Sequence, residues 1–496
     1  VIAPRWALAA GRGLRRAVAA ALIGGAVLGH GLHAQPGVVP PPVSDPYGRV
    51  ISPAEPAYVP QTPAEVDRLP CAERLCNAGA LAPFLRRLRN GGNTPIHILQ
   101  IGDSLTIGDM IPNGWRRPLQ LAHGAAGRGV MPAGKPFTGF ISWGVTASQS
   151  VGWSTSAIYR PGPALPVTSP IGIAGFTQST SLSGASIAYR ADDPGNRFDR
   201  VTVCALTGPG AGGLRVSLGD GVLNPLPSGE GALAAPSSAF AAAFGMPAPA
   251  TPLRDAAGGT LIDLNTTTPA ARCVDIDSPA LVAGVTITTT SDAPVTLTSI
   301  ALMRRGPGVI LSNLGVVGSQ MIHHLQASNL VYAIEMAHYR PDLVVIAFGT
   351  NEAFNPRLEA AAFRSSLRAT IARIRGALGP DTPILLIAPP DAATRQMAVA
   401  RIDTGLSHAC DRGLMVPAGL AMVRQEQLAT ATELRLGFWN AGLAMGGPCS
   451  SLSWQAQGQM LGDLVHINRA GGDRLGAMLA ADLESAAVSP AAGPQR

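Results

Sequence analysis

The sequence predicts an α/β domain, a parallel sheet flanked by helices, interrupted by an inserted all-β module. Three observations predict it. Short apolar runs such as Ile96–Ile101, Leu343–Gly349 and Ile384–Pro390 have the composition of strands buried on both faces. Helix-period segments alternate with them, which is the pattern of a parallel sheet with helices on both faces. From about Trp143 to Arg305 that alternation stops. Short Thr/Val/Ile runs sit there between Gly, Pro, Ser and Asp turns.

Taken in order, residues 1–34 read as a signal peptide. Arg12, Arg15 and Arg16 form a basic start, "AVAAALIGGAVLG" an apolar stretch short for a membrane span, and Leu32-His33-Ala34 a cleavage site. The chain is therefore expected in the periplasm or outside the cell, with no stable membrane insertion after cleavage. Of the formal net charge of +6, four arginines and no acid fall within residues 1–34, so +2 remains for the rest. No basic block is interleaved with aromatics, which excludes a nucleic-acid partner. Residues 35–70 are proline-rich and read as a linker or arm. The chain is 46% hydrophobic and only 14% charged, enough for a large core beyond that arm. Six cysteines suit an oxidising compartment. Joining neighbours (Cys71 with Cys76, Cys204 with Cys273, Cys410 with Cys449) keeps each bridge within one domain, among about fifteen possible pairings. None has the spacing of a zinc or redox pair, so no metal and no cofactor is expected.

The first part of the α/β domain spans 71–142. "LAPFLRRLRN" predicts a short helix and Ile96–Ile101 the first strand. Residues 143–305 are expected to form a separate, sandwich-like β module. In "GVTITTTSDAPVTLTSIALM", Val285 and Ile287 alternate with threonines, Ser291–Pro294 turns the chain, and Val295 and Leu297 alternate again. This predicts a hairpin. Residues 306–485 return to α/β. "GVILSNL", Leu343–Gly349 and Ile384–Pro390 are strands, and Phe363, Leu367, Ile371, Ile374 and Leu378 share one helix face. A closing helix runs through "INRAGGDRLGAMLAADLES", and 486–496 is expected to be a flexible tail.

In parallel sheets, sites lie beyond the carboxyl ends of the strands. There the sequence places Gly102-Asp103-Ser104-Leu105, then "NLGVVGSQ" with Gly318, then Gly349-Thr350-Asn351-Glu352, then Asp391, and near the end "GDLVHINRAG" with Asp463 three residues before His466. A serine hydroxyl becomes a nucleophile when a base takes its proton. His466 can do so, with Asp463 orienting the ring. The Ser104 and Gly318 N–H groups and the Asn351 amide can meet a developing oxyanion.

These blocks, in this order, resemble the SGNH (GDSL) hydrolase family, named for a Ser, Gly, Asn and His that match Ser104, Gly318, Asn351 and His466, with Asp463 completing a triad. "GDSLTIGDM", "AGRGVMPAGKPF", "SNLGVVGSQ", "AFGTNEAF", "LLIAPPD", "FWNAGLAMGG" and "DLVHINRAGGDRLG" resemble the branch containing bacterial peptidoglycan O-acetylesterases. By motif the likeness covers roughly residues 75–142 and 308–482. It implies a flavodoxin-like SGNH sheet with an inserted module resembling carbohydrate-binding domains. It also implies a secreted serine esterase that removes O-acetyl groups from an acetylated polysaccharide, peptidoglycan first, through an acyl-serine. One departure is Leu105, where close members of that branch often have histidine. Two alternatives stay open: a polysaccharide O-acetyltransferase using the same triad, and a non-catalytic carbohydrate-binding protein.

Other residues receive plainer expectations. His323-His324 is read as a helix surface rather than a metal site, and His97 as a satisfied strand residue. Glu352 is expected to bond loop backbone, Asp103 to brace the turn, and Asp391 to shape a pocket edge. Trp439 and Trp454 are either sugar platforms or core.

Overall fold

Ile96–Gly102 is buried at every position, and its side chains alternate between two apolar cores. It lies next to an edge strand of a six-stranded sheet in a computed structural model that describes residues 71, 73–160, 169–220, 253–254, 258–395 and 408–488. The expected leader 1–34 and arm 35–70 lie outside these residues. The strands are β1 (Leu75–Cys76), β2 (Ile96–Gly102), β3 (Val309–Gly315), β4 (Leu343–Ala347), β5 (Ile384–Ala388) and β6 (Gly437–Asn440). Their order across the sheet is β1-β6-β5-β4-β2-β3. All neighbours run parallel except β1, which pairs antiparallel with β6.

Besides the short helices Met321–His324, Ala441–Met445 and Ser450–Ala456, the helices are α1 (Ala82–Asn90), α2 (Ser104–Ile107), α3 (Met110–His123), α4 (Asn329–Tyr339), α5 (Thr350–Ala353), α6 (Ala360–Leu378), α7 (Ala418–Leu434) and α8 (Arg469–Val488). Ile98, Leu311, Val345 and Leu385 pack with Leu88 of α1, Trp115 of α3 and Leu479 of α8. Leu99, Leu314, Ile346 and Leu386 turn the other way, to Met336 of α4, Ile371 of α6 and Val423 of α7. Successive strand residues point to opposite faces, so strands apolar at both parities need cover on both. Helices α3 and α8 touch through glycine. A Cβ on Gly114 would sit 2.0 Å from the Gly472 carbonyl oxygen. Helix α8 continues through Val488, so residues 486–488 of the expected tail belong to that helix, which buries Ala487.

Two further six-stranded sheets are antiparallel. Val285 and Ile287 of one and Val295 and Leu297 of the other meet in a shared core with Val203 and Val216. This corrects the expected hairpin. Gly284–Thr289 pairs with Ser186–Ala191 and Gly213–Gly219, whereas Val295–Met303 pairs with Phe198–Thr207 and Phe176–Thr180. The Ser291–Pro294 turn carries the chain from one sheet to the other, so the two alternating faces oppose each other across the core instead of lying side by side.

The β region is not set apart from the α/β domain. Gly127–Met131, ahead of residue 143, pairs with Val295–Met303 and is one of the six strands of the second sheet. Ile158, Ile171, Ile173 and Phe176 share a core with α4 and the parallel strands. Glu335 of α4 is fully buried, where it accepts hydrogen bonds from the Ser299 and Thr298 hydroxyls (2.5 and 2.7 Å) and the Ile173 N–H (2.7 Å). The three disulfides are Cys71–Cys76, Cys204–Cys273 and Cys410–Cys449. Among the described residues no helix is long and apolar enough to cross a membrane.

Candidate active site

Strand β2 lies between β3 and β4, and its last residue, Gly102, is level with Gly315 and Ala347. The loops that follow these three strands therefore open at one edge of the sheet. After β2, Asp103 caps α2 by accepting the Leu105 N–H at 2.9 Å. With the cap supplied by Asp103, the Ser104 hydroxyl is free to turn outward. Its Oγ lies 3.1 Å from His466 Nε2. His466 Nδ1 lies 2.7 Å from Asp463 Oδ2, and Asp463 Oδ1 accepts the N–H groups of Val465 and His466, both at 3.0 Å.

The His466 loop is closed by an antiparallel bridge between Met460 and Ile467, and by a hydrogen bond from the Leu461 N–H to the His466 carbonyl at 2.8 Å. Ala393, just beyond β5, donates its N–H to the Leu464 carbonyl at 3.1 Å. Burial works to raise the Asp463 carboxyl, but hydrogen bonds from His466 and Val465 outweigh it and hold the group below the usual carboxylate range. An ionised Asp463 accepts from Nδ1–H, and that tautomer presents the Nε2 lone pair to Ser104.

Gly318 sits in a turn after β3 with φ +74, and a Cβ there would meet Tyr159 Cε1 at 2.9 Å. Asn351, in α5 after β4, donates from Nδ2 to the Ser319 carbonyl at 2.9 Å, which leaves its second amide hydrogen. Gln320 returns a hydrogen bond to the Asn351 carbonyl at 3.1 Å, and Glu352 accepts the Met321 N–H at 2.7 Å. The two loops are thus laced together, with Gly318 and Asn351 on the same seam. Ser104, His466 and Asp463 form one hydrogen-bonded relay. Gly318 and Asn351 stand on the loops following the two strands that flank β2.

Glu352 bonds loop backbone as expected, and burial pushes its carboxyl to about 7. Asp103 is pushed to about 7 by burial, helped by the nearby Glu352 charge. His97 contacts the Tyr339 carbonyl and the Ser312 hydroxyl from within β2. His324 departs from the expected helix surface. It is buried against Tyr332 and Phe348, and burial lowers it to about 3. His323 is half-buried and stacks on Tyr159, with ring centroids 4.3 Å apart. Asp391 is fully buried and accepts the Ser451 N–H at 3.1 Å, so it lines no pocket edge. Trp439 and Trp454 are both buried and donate to Asp482 and to the Met445 carbonyl, which makes them core.

Two features were not singled out in the sequence. Tyr159 reaches the Gly318 turn from the β region, and nothing local to it announces that contact. Asp109, at the end of "GDSLTIGD", is fully buried and accepts from Arg116, Arg128 and the Trp143 N–H. Arg128 also donates to Asn313, which donates to the Thr106 carbonyl. This network braces the back of α2, and only its position in a repeated Gly-Asp pattern could have drawn attention to it. Among the described residues no group of three or more His, Cys, Asp and Glu is placed to hold a metal ion.

No family model matches the chain, and no curated protein matches it in sequence. Among solved structures it is similar to a peptidoglycan O-acetylesterase captured in action, at 24% identity and a TM-score of 0.62, over 84% of this chain and 99% of that one. It shares that protein's fold. A family two carbohydrate esterase from Cellvibrio japonicus matches at 10% identity over 69% of this chain and 98% of that one, with a TM-score of 0.24. Another from Clostridium thermocellum, in complex with cellohexaose, matches at 12% identity over 67% and 98%, with a TM-score of 0.26. Both scores are too low to bear on the fold.

Proposed function

We propose that the protein is a serine esterase of the SGNH type that removes O-acetyl groups from a bacterial polysaccharide, peptidoglycan first, in the periplasm or outside the cell. The observation that carries this reading is the Ser104–His466–Asp463 relay at the carboxyl edge of a parallel sheet. The shared fold with a peptidoglycan O-acetylesterase supports the substrate class, and three disulfides suit an exported protein.

In this mechanism His466 Nε2 takes the Ser104 proton as Oγ attacks the acetyl carbonyl carbon. Asp463 stabilises the imidazolium. The oxyanion receives the Ser104 and Gly318 N–H groups and the second Asn351 amide hydrogen. His466 then gives its proton to the sugar oxygen, the C–O bond breaks, and the deacetylated sugar leaves. Water, deprotonated by the same ring, attacks the acyl-serine, and the imidazolium returns the proton to Ser104 Oγ as the C–Oγ bond breaks and acetate leaves. The His466 and Asp463 side chains are 42% and 46% exposed, so water can approach the acyl-serine.

Initial rates on p-nitrophenyl acetate and on acetylated peptidoglycan test the reading. Ser104→Ala and His466→Ala should each lower kcat by ~10³-fold or more. Wild-type turnover by Ser104→Ala would sink the serine mechanism, and no turnover by the wild-type chain itself would leave a binding protein on an esterase-like fold.

A further inference from the structure

A cavity of about 630 Å³ opens beside the His466 loop, bounded by Asp463 and Val465 on one side and by Phe354, just beyond the Asn351 helix, on another. It lies one side chain past the imidazole, at the same edge of the sheet as Ser104. Its lining mixes apolar residues, Phe354, Val465 and Leu414, with two arginines, Arg395 and Arg412. Both arginines are exposed, and neither pairs with an acid among the described residues. The acid bounding the cavity, Asp463, is already committed to His466 and to two backbone N–H groups. Arg412 stands on a short turn beside the Cys410–Cys449 disulfide, with its backbone at φ +60, a conformation uncommon outside glycine. Uncommon backbone conformations cluster at ligand-binding positions. Another cavity, of about 340 Å³, is bounded by Asp342 and Pro383, which precede β4 and β5. It is therefore at the opposite end of the strands and cannot serve Ser104.

We infer that the cavity beside the His466 loop is a glycan subsite in which Arg395 and Arg412 hold a carboxylate of the polysaccharide flanking the scissile ester. Guanidinium groups present planar, paired donors that match a carboxylate, and the apolar walls suit the carbon face of a sugar. The carboxylate belongs either to a uronic acid ring or to the lactyl ether of a muramic acid. This inference deepens the esterase reading and rests on it for the orientation of the chain, but binding at the cavity is measurable without turnover.

The experiment is calorimetric titration of the full chain with three probes: an oligogalacturonate, an oligosaccharide of alternating N-acetylglucosamine and N-acetylmuramic acid, and neutral cellohexaose. At least one carboxylated probe should bind tenfold or more tightly than cellohexaose, and which one does so identifies the carboxylate source. Arg395→Gln with Arg412→Gln should remove that preference, and Arg→Lys at both positions should restore part of it. Raising salt to about 0.5 M should weaken only the carboxylated probe, because exposed charges are screened. Circular dichroism melts establish that the variants are folded, and the salt series on the wild type stands if they are not. Equal affinity for charged and neutral probes, or a preference that survives the double substitution, overturns the subsite. Failure of the esterase reading shows separately, as no hydrolysis of p-nitrophenyl acetate.

Discussion

Gly318 and Asn351 show how much of the site depends on single atoms. A side chain at 318 meets two penalties, the clash with Tyr159 and the positive φ. Gly318→Ala should therefore lower kcat, and adding Tyr159→Ala should recover only part of the loss, since the backbone penalty stays. Full recovery in the double variant would mean that the clash alone matters. Asn351→Ala removes a side-chain donor and should cost ~10²–10³-fold in kcat with little change in KM. A rise in KM alone would place Asn351 in ground-state binding. Ser104, Gly318, Asn351, Asp463 and His466 could be proposed from the sequence because each stands just past an apolar run or in a short Gly-rich block, where parallel sheets put their chemistry. Tyr159 was not legible, because its role comes from a contact made across the fold.

At the scale of elements, the loops after β2 and β4 carry two buried carboxyls, Asp103 and Glu352, each pushed to about 7. In the unfolded chain a glutamic acid titrates near ~4.3. Between those values these two groups hold protons in the folded protein that the unfolded chain has released, so their contribution to stability falls as pH rises. The contribution is fully present below the unfolded value and lost as pH passes through about 7. The Tm of the wild type minus that of Glu352→Gln should decrease from about pH 4.5 to about pH 7.5, a difference that removes the opposite contribution of the buried His97 and His324, whose lowered values make stability rise with pH. A slope unchanged in both Glu352→Gln and Asp103→Asn would mean these carboxyls titrate normally. The strands themselves were readable from continuous burial and the helices from their period. The pairing of Gly284–Thr289 with Val295–Met303 was misread for a physical reason. Alternation of Val285, Ile287, Val295 and Leu297 reports that one face is buried, and a hairpin and a crossing between two facing sheets bury it equally well.

For the whole molecule, the β region reads in the sequence as an insertion that could be lifted out, and the structure argues otherwise. Gly127–Met131 pairs with Val295–Met303, Asp109 accepts the Trp143 N–H, and Glu335 is satisfied by Ile173, Thr298 and Ser299. Replacing residues 143–305 by a short linker would leave Glu335 buried or exposed without partners and bare one face of α4. Such a chain should fail to give a cooperative melt, and a cooperative melt with activity on p-nitrophenyl acetate would show that the α/β domain stands alone. Texture alone could not reveal this, because composition marks where strands occur and says nothing of what covers their second face.

The central claim is that Ser104 is the nucleophile of an acyl-enzyme mechanism. Its most direct test is to quench the protein in acid during turnover of p-nitrophenyl acetate and locate the adduct by peptide mass spectrometry. The account predicts one acetyl group on Ser104, absent from Ser104→Ala and slower to form in His466→Ala. Turnover with no acetyl on Ser104, or an adduct on another residue that persists in Ser104→Ala, would contradict it.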